Sequence, residues 1–376
     1  GTSIYLCDHA YACIIVRISS LSVQDFRSTS LINLKFSKNI SVIYGHNNVG
    51  KTTILEAIYF CSNLKSFKQL PNKELIKNSS SFFKISLKCI KNSSNSSIYI
   101  EKSLKSSKCL YNDEKITKKM LANMFPCYAL VFGFNNLLLN DSIYRRDFVD
   151  SGMFHVEPKS HASFASFNQT LKQRNYLLKT KNYKDIDFWN NELVKNNTDL
   201  FHHRSSYYSK LSEEFKKIII ELKDALPDIY GEIESLDMSY YKGWDNEDYG
   251  IDLENTFEKD TSVGYTTVGT HRSDILISSN NKLVKESGSM STLVLSCLLI
   301  FLAKSSVFHV KHGFKPVLLI DDLFFGIDNK NLNTVIKLLI YSKGNIVVTA
   351  PNIYKEILEK ASSMNDEIEL INLGDF

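Results

Sequence analysis

The chain has 376 residues, 43% of them hydrophobic and 23% charged, with only 15 Gly and 6 Pro. That composition excludes a disordered or collagen-like chain, and the length suits two or three structural units at about 150 residues per domain. The longest nearly apolar stretch, residues 293–303, is shorter than the roughly 20 residues a bilayer span requires. Residues 1–15 carry Asp8 and no cationic start, so neither a membrane nor a secreted protein is expected. The seven Cys are scattered singly with no C-x-x-C pair, which points to a reducing, cytoplasmic setting. Net charge is +4, but residues 65–119 hold thirteen Lys against four acids, a local +9 that leaves the remainder at −5. Charge pattern alone admits either a solvated face or an anion-binding surface there.

In chain order, residues 16–23 alternate apolar and polar as a strand does, and the β-rich run 40–44 stops at Gly45 before a helical stretch over 53–60. Residues 82–90 and 97–104 read as two strands of an antiparallel side sheet, joined by the Asn/Ser cluster 92–96. Between Pro158 and Pro227 lie 68 residues without Gly or Pro. Phe164, Phe167, Leu171 and Leu178 form a helical seam that resumes at Trp189, Leu193, Leu200, Tyr207, Leu211 and Ile218, after the polar break 179–187. Two antiparallel helices account for this pattern. Strands are then expected over 262–268 and 275–278, a helix over 291–304, a buried strand over 317–320 and a last strand over 345–349.

Two motifs carry chemistry. Gly45-His46-Asn47-Asn48-Val49-Gly50-Lys51-Thr52 fits G-x-x-x-x-G-K-[ST] in the strand–loop–helix context that motif needs, with Thr53 opening the helix. Backbone N–H groups of such a loop surround phosphate oxygens, Lys51 reaches the outer phosphates, and the Thr52 hydroxyl ligates Mg²⁺. Asn48 stands where many such loops have a third glycine, and Asn tolerates left-handed angles better than other side chains do. The apolar run 317–320 ends in Asp321-Asp322, as a Walker B strand does. Asp321 is placed to hold Mg²⁺ and Asp322 to orient or deprotonate the attacking water.

With these motifs the chain resembles, over nearly its whole length, the RecF family of ABC-type ATPases related to the SMC proteins. The resemblance rests on Phe26-Arg27, on residues 55–59 after the loop, on Lys65-Ser66 with residues 74–76, on Arg145-Arg146 with Phe148 and Asp150, and on residues 154–158. Residues 171–175 with Trp189, then Gly269, His271, Arg272 and Asp274, continue it in the same order. It implies an α/β ABC-type head from residues 16–150 and 251–376, with a helical arm, 151–250, inserted between its halves and residues 1–15 as an extension. It also implies ATP and Mg²⁺ as cofactors, an ATP-dependent homodimer, duplex DNA and single-strand/duplex junctions as ligands, and RecO and RecR as partners in loading RecA. The basic segment then becomes a DNA face, with Lys65, Lys68, Lys102, Lys105 and Lys108 as its candidates.

The sequence departs from that family at several positions. The family signature, Ser-x-Gly-Gln, caps the partner subunit's γ-phosphate. Here residues 286–290 read Glu-Ser-Gly-Ser-Met, and two registers are open: one keeps Gly288 with Glu286 at the serine, the other keeps Ser287 with Ser289 at the glycine. Residues 325–328 keep only Asp328 of the family's Ser-Glu-Leu-Asp, and Phe67-Lys68 replaces His-Arg. Weak DNA-stimulated ATP hydrolysis is the expectation, and the alternative is a turnover-deficient nucleotide-binding scaffold acting through protein contacts. His309 and His312 read as part of a loop before residue 317 rather than a zinc site.

Overall fold

The alternating run near the N-terminus becomes β1 (Ile14–Phe26), and left-handed Asp25 and Arg27 turn it back into β2 (Thr29–Lys35). The computed structural model describes residues 14–47, 49–132, 137–324 and 329–375. β3 (Ile40–Gly45) leads into α1 (Lys51–Asn63), followed by the short α2 (Asn72–Leu75). β4 (Phe82–Lys91) and β5 (Ser94–Ser103) pair antiparallel, and the turn between them is two residues, Asn92 and Ser93, both at positive φ. That backbone matches the twist of a tight hairpin, so the strands run further into the Asn/Ser cluster than its composition suggests. β6 (Ser107–Tyr111), β7 (Glu114–Lys115), α3 (Lys118–Met124) and β8 (Cys127–Val131) complete the first stretch.

Helices dominate next: α4 (Ser142–Val156), α5 (Ser160–Thr180), α6 (Ile186–Ala225) and α7 (Pro227–Ile233). β9 (Leu236–Tyr241), α8 (Tyr249–Asn255), α9 (Phe257–Val263), β10 (Asp274–Ser279), β11 (Lys282–Leu283) and α10 (Val284–Ser287) follow. The chain ends with α11 (Met290–His312), β12 (Phe314–Lys315), β13 (Val317–Asp321), α12 (Asn329–Tyr341), β14 (Ile346–Pro351), α13 (Lys355–Met364) and β15 (Ile368–Asn372).

Two compact units form. The first takes the described residues within Gly1–Leu130, Phe308–Phe324 and Leu338–Phe376, the second those within Val131–Val307 and Phe325–Lys337. In the first, one sheet has the order β12-β1-β4-β5-β6-β7 with β2 also on β1, and the other has the order β15-β3-β14-β13-β8. The pairs β15–β3, β3–β14 and β14–β13 are parallel, which is why their strands are nearly continuous apolar runs. α1 touches strands of both sheets and buries Ile54, Leu55, Ala57, Ile58 and Phe60 between them. Each of the Ile, Leu and Phe side chains contributes about 1.5–3 kcal/mol. Phe26, Phe60 and Phe83 meet edge to face at 4.9–6.2 Å across this core.

In the second unit α5 and α6 pack against each other, and Phe167, Leu178, Leu193, Leu200, Tyr207 and Leu211 of the expected seam are buried. The same seam also buries Arg174, Asn197 and Arg204, which apolar periodicity could not reveal. Arg174 pairs with Asp260 at 2.7 Å, both fully buried, and donates further to Asn190 Oδ1 and Thr266 Oγ1. Asp260 Oδ1 accepts from Thr267 N and Oγ1, while Asn175 Oδ1 accepts from Thr266 N and Oγ1. These side-chain acceptors take the N–H groups of Thr266 and Thr267 without a strand ladder, and the expected strand over 262–268 is instead the end of α9 and a loop.

Three other expectations are corrected. The helix expected over 291–304 continues to His312, so His309 and His312 lie in its last turn, with the His312 ring stacked on Phe308 at 4.3 Å. Among the described residues no group of His, Cys, Asp or Glu suits a metal on its own. That helix is long and apolar enough to cross a bilayer by length and composition, but 83% of its apolar window is buried inside the protein, as in a core helix. The strand over 345–349 is not the last, because β15 pairs on the far side of β3. Residues 1–13, Asn48 and residues 325–328 lie outside the described residues, as does the side chain of Ser287.

Breaking the buried pair leaves a charge with no solvent and no counter-ion. Arg174→Met is expected to lower stability by about 3–5 kcal/mol in urea titration, and a cost below about 1 kcal/mol would contradict a buried, mutually dependent pair.

Candidate nucleotide-binding site

β3 is buried along its whole length and delivers the loop 45–50 to the carboxyl end of a parallel sheet, where ligands of open α/β sheets bind. Gly50 opens α1 at φ 94°, a left-handed angle that a side chain resists, so the G-K-T order has a backbone reason here. His46 and Asn47 are exposed, Val49 is half-buried with Cγ2 close over Gly45, and Thr53 is buried in the first turn of α1. The Lys51 ammonium folds back over the loop and donates to the carbonyls of Gly45 and His46, each at 2.8 Å. Burial pushes its pKa down, against the pull of Asp322 and Asp321.

The strand order puts β14 between the loop-bearing β3 and the carboxylate-bearing β13. In that register Ile320 faces Val348, which sets Thr349 beside Asp321. Thr349 Oγ1 donates to Asp321 Oδ1 at 2.6 Å, and Thr52 Oγ1 donates to Asp321 Oδ2 at 2.9 Å. The hydroxyl of Thr349 also accepts the backbone N–H of Asp322 at 2.9 Å. Asp322 itself is at φ 55°, an angle that Asp and Asn tolerate better than most residues. Burial, then Asp321 beside it, raises its pKa above the ordinary carboxylate value, while Lys51 and Lys68 pull the other way.

A Thr hydroxyl and a carboxylate oxygen at 2.9 Å are hard donors of the type Mg²⁺ accepts. Mg²⁺ commonly takes one or two carboxylates and completes its shell with substrate phosphate and water, so this set fits the ion.

Several contributors were not legible beforehand. Thr349 is one, and its only signal is a lone hydroxyl closing the apolar run 346–348, as Asp321 closes 317–320. Glu56 is another: fully buried in α1, it accepts from Arg27 Nη1 at 2.6 Å and from the Ser66 hydroxyl, whose oxygen in turn accepts from Lys68 N at 3.0 Å. This chain of hydrogen bonds holds the segment 64–69 on the first turns of α1 and carries the Lys68 charge within reach of Asp322.

The five lysines named for a DNA face do not share one surface. Lys68 acts on Asp322, and Lys65 lies near Lys118. On the hairpin, Lys102 stands opposite Ser107 and Lys108 opposite Glu101, adjacent register positions whose side chains take opposite faces of the sheet. Lys105 is exposed in the turn between them.

The signature candidates belong to the second unit. Gly288 N bonds to Val284 O, and a Cβ on Gly288 would stand 2.6 Å from that same oxygen, so no side chain fits there. Ser289 caps α11, its Oγ accepting from Thr292 N. The family block around residue 270 meets the block around 148: Arg145 grips Asp274 at 2.6 and 2.9 Å, and Arg204 grips Asp150 at 2.8 and 2.7 Å. Arg146 donates to Ser273 O at 2.9 Å. His271 is held among them with Nε2 2.9 Å from Thr266 O, and burial brings its pKa down to about 4, so it is neutral at physiological pH.

Residues 17–369 match the family model described as the RecF/RecN/SMC N-terminal domain. A DNA replication and repair protein RecF of Pseudoalteromonas translucida is 31% identical over 89% of this chain and 91% of its own length. A protein of the same name from Shewanella denitrificans is 28% identical over 89% and 91%. In fold, the chain superposes on the recombination mediator protein RecF-ATPrS of the RecFOR pathway with a TM-score of 0.73. That match has 20% identity and covers 90% of this chain and 94% of the other. An Smc head domain of Pyrococcus furiosus superposes with a TM-score of 0.52 and 16% identity, over 94% of this chain and 99% of its own.

Because Asp322 titrates higher in the folded chain than in the unfolded one, its acid form stabilises the fold at low pH, and that contribution is lost as pH rises through the raised value. Asp322→Asn is therefore expected to melt above the wild type at pH 7, with the difference closing as pH falls toward about 4. Equal melting temperatures at every pH would contradict the assignment.

Proposed function

Because the chain belongs to the RecF family of ABC-type ATPases related to the SMC proteins, we propose that it is an ATP-dependent, DNA-binding recombination mediator acting in gap repair and replication restart. The observation that carries the reading is the network of Thr52, Asp321 and Thr349 beneath a loop whose Lys51 is held by two carbonyls. A triphosphate offers Lys51 charged oxygens in place of those carbonyls, and ionic hydrogen bonds are roughly twice as strong as neutral ones. The loop N–H groups and the start of α1 add their dipoles to the same anion.

Thr52 and Asp321 would hold Mg²⁺, which when bound neutralises charge on the outer phosphates. Asp322, made more basic than an ordinary carboxylate by burial, orients the attacking water and accepts its proton. Lys68, tethered through Ser66 and Glu56, adds a second positive charge on that side. In this reading ATP joins two copies head to head, Gly288 and Ser289 of one copy facing the γ-phosphate held by the other. A carboxylate at Glu286 in that position would oppose the anion and slow hydrolysis, and stimulation by DNA is what an active mediator would show. The same residue favours the alternative of a scaffold that binds ATP and leaves it intact. Single-turnover hydrolysis with and without DNA decides between them.

In this reading duplex DNA is held through its phosphates by Lys105 and Lys108 at the hairpin turn, without sequence preference. RecO and RecR are the partners this reading implies, in loading RecA.

Lys51→Ala is expected to abolish binding of a fluorescent ATP analogue with the fold retained, and wild-type affinity would overturn the site. Asp321→Asn should weaken binding only when Mg²⁺ is present, whereas Asp322→Asn should bind normally and fail to turn over. Identical behaviour of the two would refute the division of roles. On duplex DNA, reversing the charge of Lys105 and Lys108 should flatten the plot of log affinity against log salt by about 0.9 for each phosphate no longer neutralised. An unchanged slope would remove the hairpin from the DNA face.

A further inference from the structure

From Lys159 to Lys184 the chain has six cations and no carboxylate. This stretch contains the whole of α5 and the loop that follows it. Arg174 alone turns its charge inward, against Asp260. Lys159, Lys172, Lys179, Lys181 and Lys184 are exposed, and none takes part in an ion pair among the described residues. Acids return only at Asp185 and Asp187, at the start of α6.

The arrangement along the helix is regular. Lys172, Tyr176 and Lys179 recur at four and three, so they stand on one side of α5, and exposed Gln169 and Gln173 lie on the same side. Tyr176 is 62% exposed, unusual for an aromatic ring on a stable helix. The helix then closes firmly: Lys181 is left-handed at φ 54°, its N–H bonds to the carbonyls of Leu177 and Leu178, and Asn182 N bonds to Leu177 O. Tyr183, 40% exposed, follows at once, held edge-on against Phe257 at 6.2 Å. Lysines and part-exposed aromatic rings are therefore interspersed along this surface, and the lysines have no ion-pair partner among the described residues.

We infer that the solvent face of α5 and its following loop bind single-stranded nucleic acid, with Lys172, Lys179, Lys181 and Lys184 on phosphates and Tyr176 and Tyr183 stacked on bases. The inference rests on the nucleic-acid reading above and deepens it by giving the unpaired strand its own surface. Charge complementarity selects a polyanion. The rings select an unpaired strand, because bases in a duplex present no free face for stacking, whereas splayed bases stack on Tyr and take hydrogen bonds from amides such as Gln169 and Gln173.

The test uses the full chain, without nucleotide, and a fluorescein-labelled (dT)15, read by anisotropy across a salt series, with a 15-base-pair duplex in parallel. The triple variant Lys172→Glu, Lys179→Glu, Lys181→Glu should lose at least tenfold in affinity for (dT)15 at 100 mM salt. Its salt slope should flatten by about 0.7 for each phosphate no longer neutralised, roughly 2 in all. Tyr176→Ala should weaken (dT)15 about tenfold while Tyr176→Phe retains it, since stacking needs the ring and not the hydroxyl. Duplex affinity should be unchanged in all of them. Wild-type (dT)15 binding by the triple variant overturns the proposal, and so does a parallel fall in duplex affinity. Normal binding by Tyr176→Ala, or displacement of (dT)15 by polyglutamate at equal charge, would reduce the surface to a contact for any polyanion and equally overturn it. The site stands apart from the nucleotide reading: Lys51→Ala should still bind (dT)15 through Tyr176, whatever its affinity for ATP.

Discussion

The carboxylate of Asp321 is the point on which the site depends. It ends an apolar strand where a charge is costly unless it is satisfied, and hydroxyls from two different segments, Thr52 and Thr349, satisfy it. The first comes from the helix that follows the loop, the second from the strand between the two motif-bearing strands. One acidic side chain thus ties the start of α1, the end of β14 and the end of β13 together, beside the loop proposed to hold phosphate. The backbone of Asp322 is fixed by the same Thr349 hydroxyl, which holds that residue at a left-handed angle beside the loop.

A second set of buried charges organises the other unit. Arg145 with Asp274, Arg204 with Asp150 and Arg174 with Asp260 each join segments far apart in the chain. Replacing such pairs by hydrocarbon is often no loss in stability, so their value lies more in specifying one arrangement than in holding it tightly. They bind the family's sequence blocks to one another, and this explains why residues as remote as Asp150 and Thr270 belong to one pattern: Arg204 donates to both. Neutral His271 sits inside this framework as a packing and hydrogen-bonding residue.

Charge is distributed differently from what a linear count suggests. The lysine-rich segment 65–119 is folded into α2, the strands β4 to β7 and the start of α3, and pleating sends Lys102 and Lys108 to opposite faces. On α5, Lys172 and Lys179 stand on one side, because a helix returns every third or fourth residue to the same side, and no acid intervenes between them in the chain.

Local pattern determined a good deal of this protein. The strand–loop–helix around Lys51, the apolar strand ending in Asp321-Asp322, the antiparallel hairpin 82–103 and the paired arm helices all follow from periodicity, turn residues and motif spacing, which act over a few residues. Contacts made across long stretches of chain were decided only by the tertiary structure. Thr349 reads as one more residue of a buried strand until the sheet order sets it against Asp321, and Glu56 is one residue of the block 55–59 until Arg27 and Ser66 reach it. Residues 262–268 read as a strand because their own β-branched composition suits one, yet Asp260 and Asn175 take up their backbone and hydroxyl donors first. Propensity is a property of the segment alone, whereas hydrogen-bond satisfaction in a buried loop depends on side chains delivered by other elements.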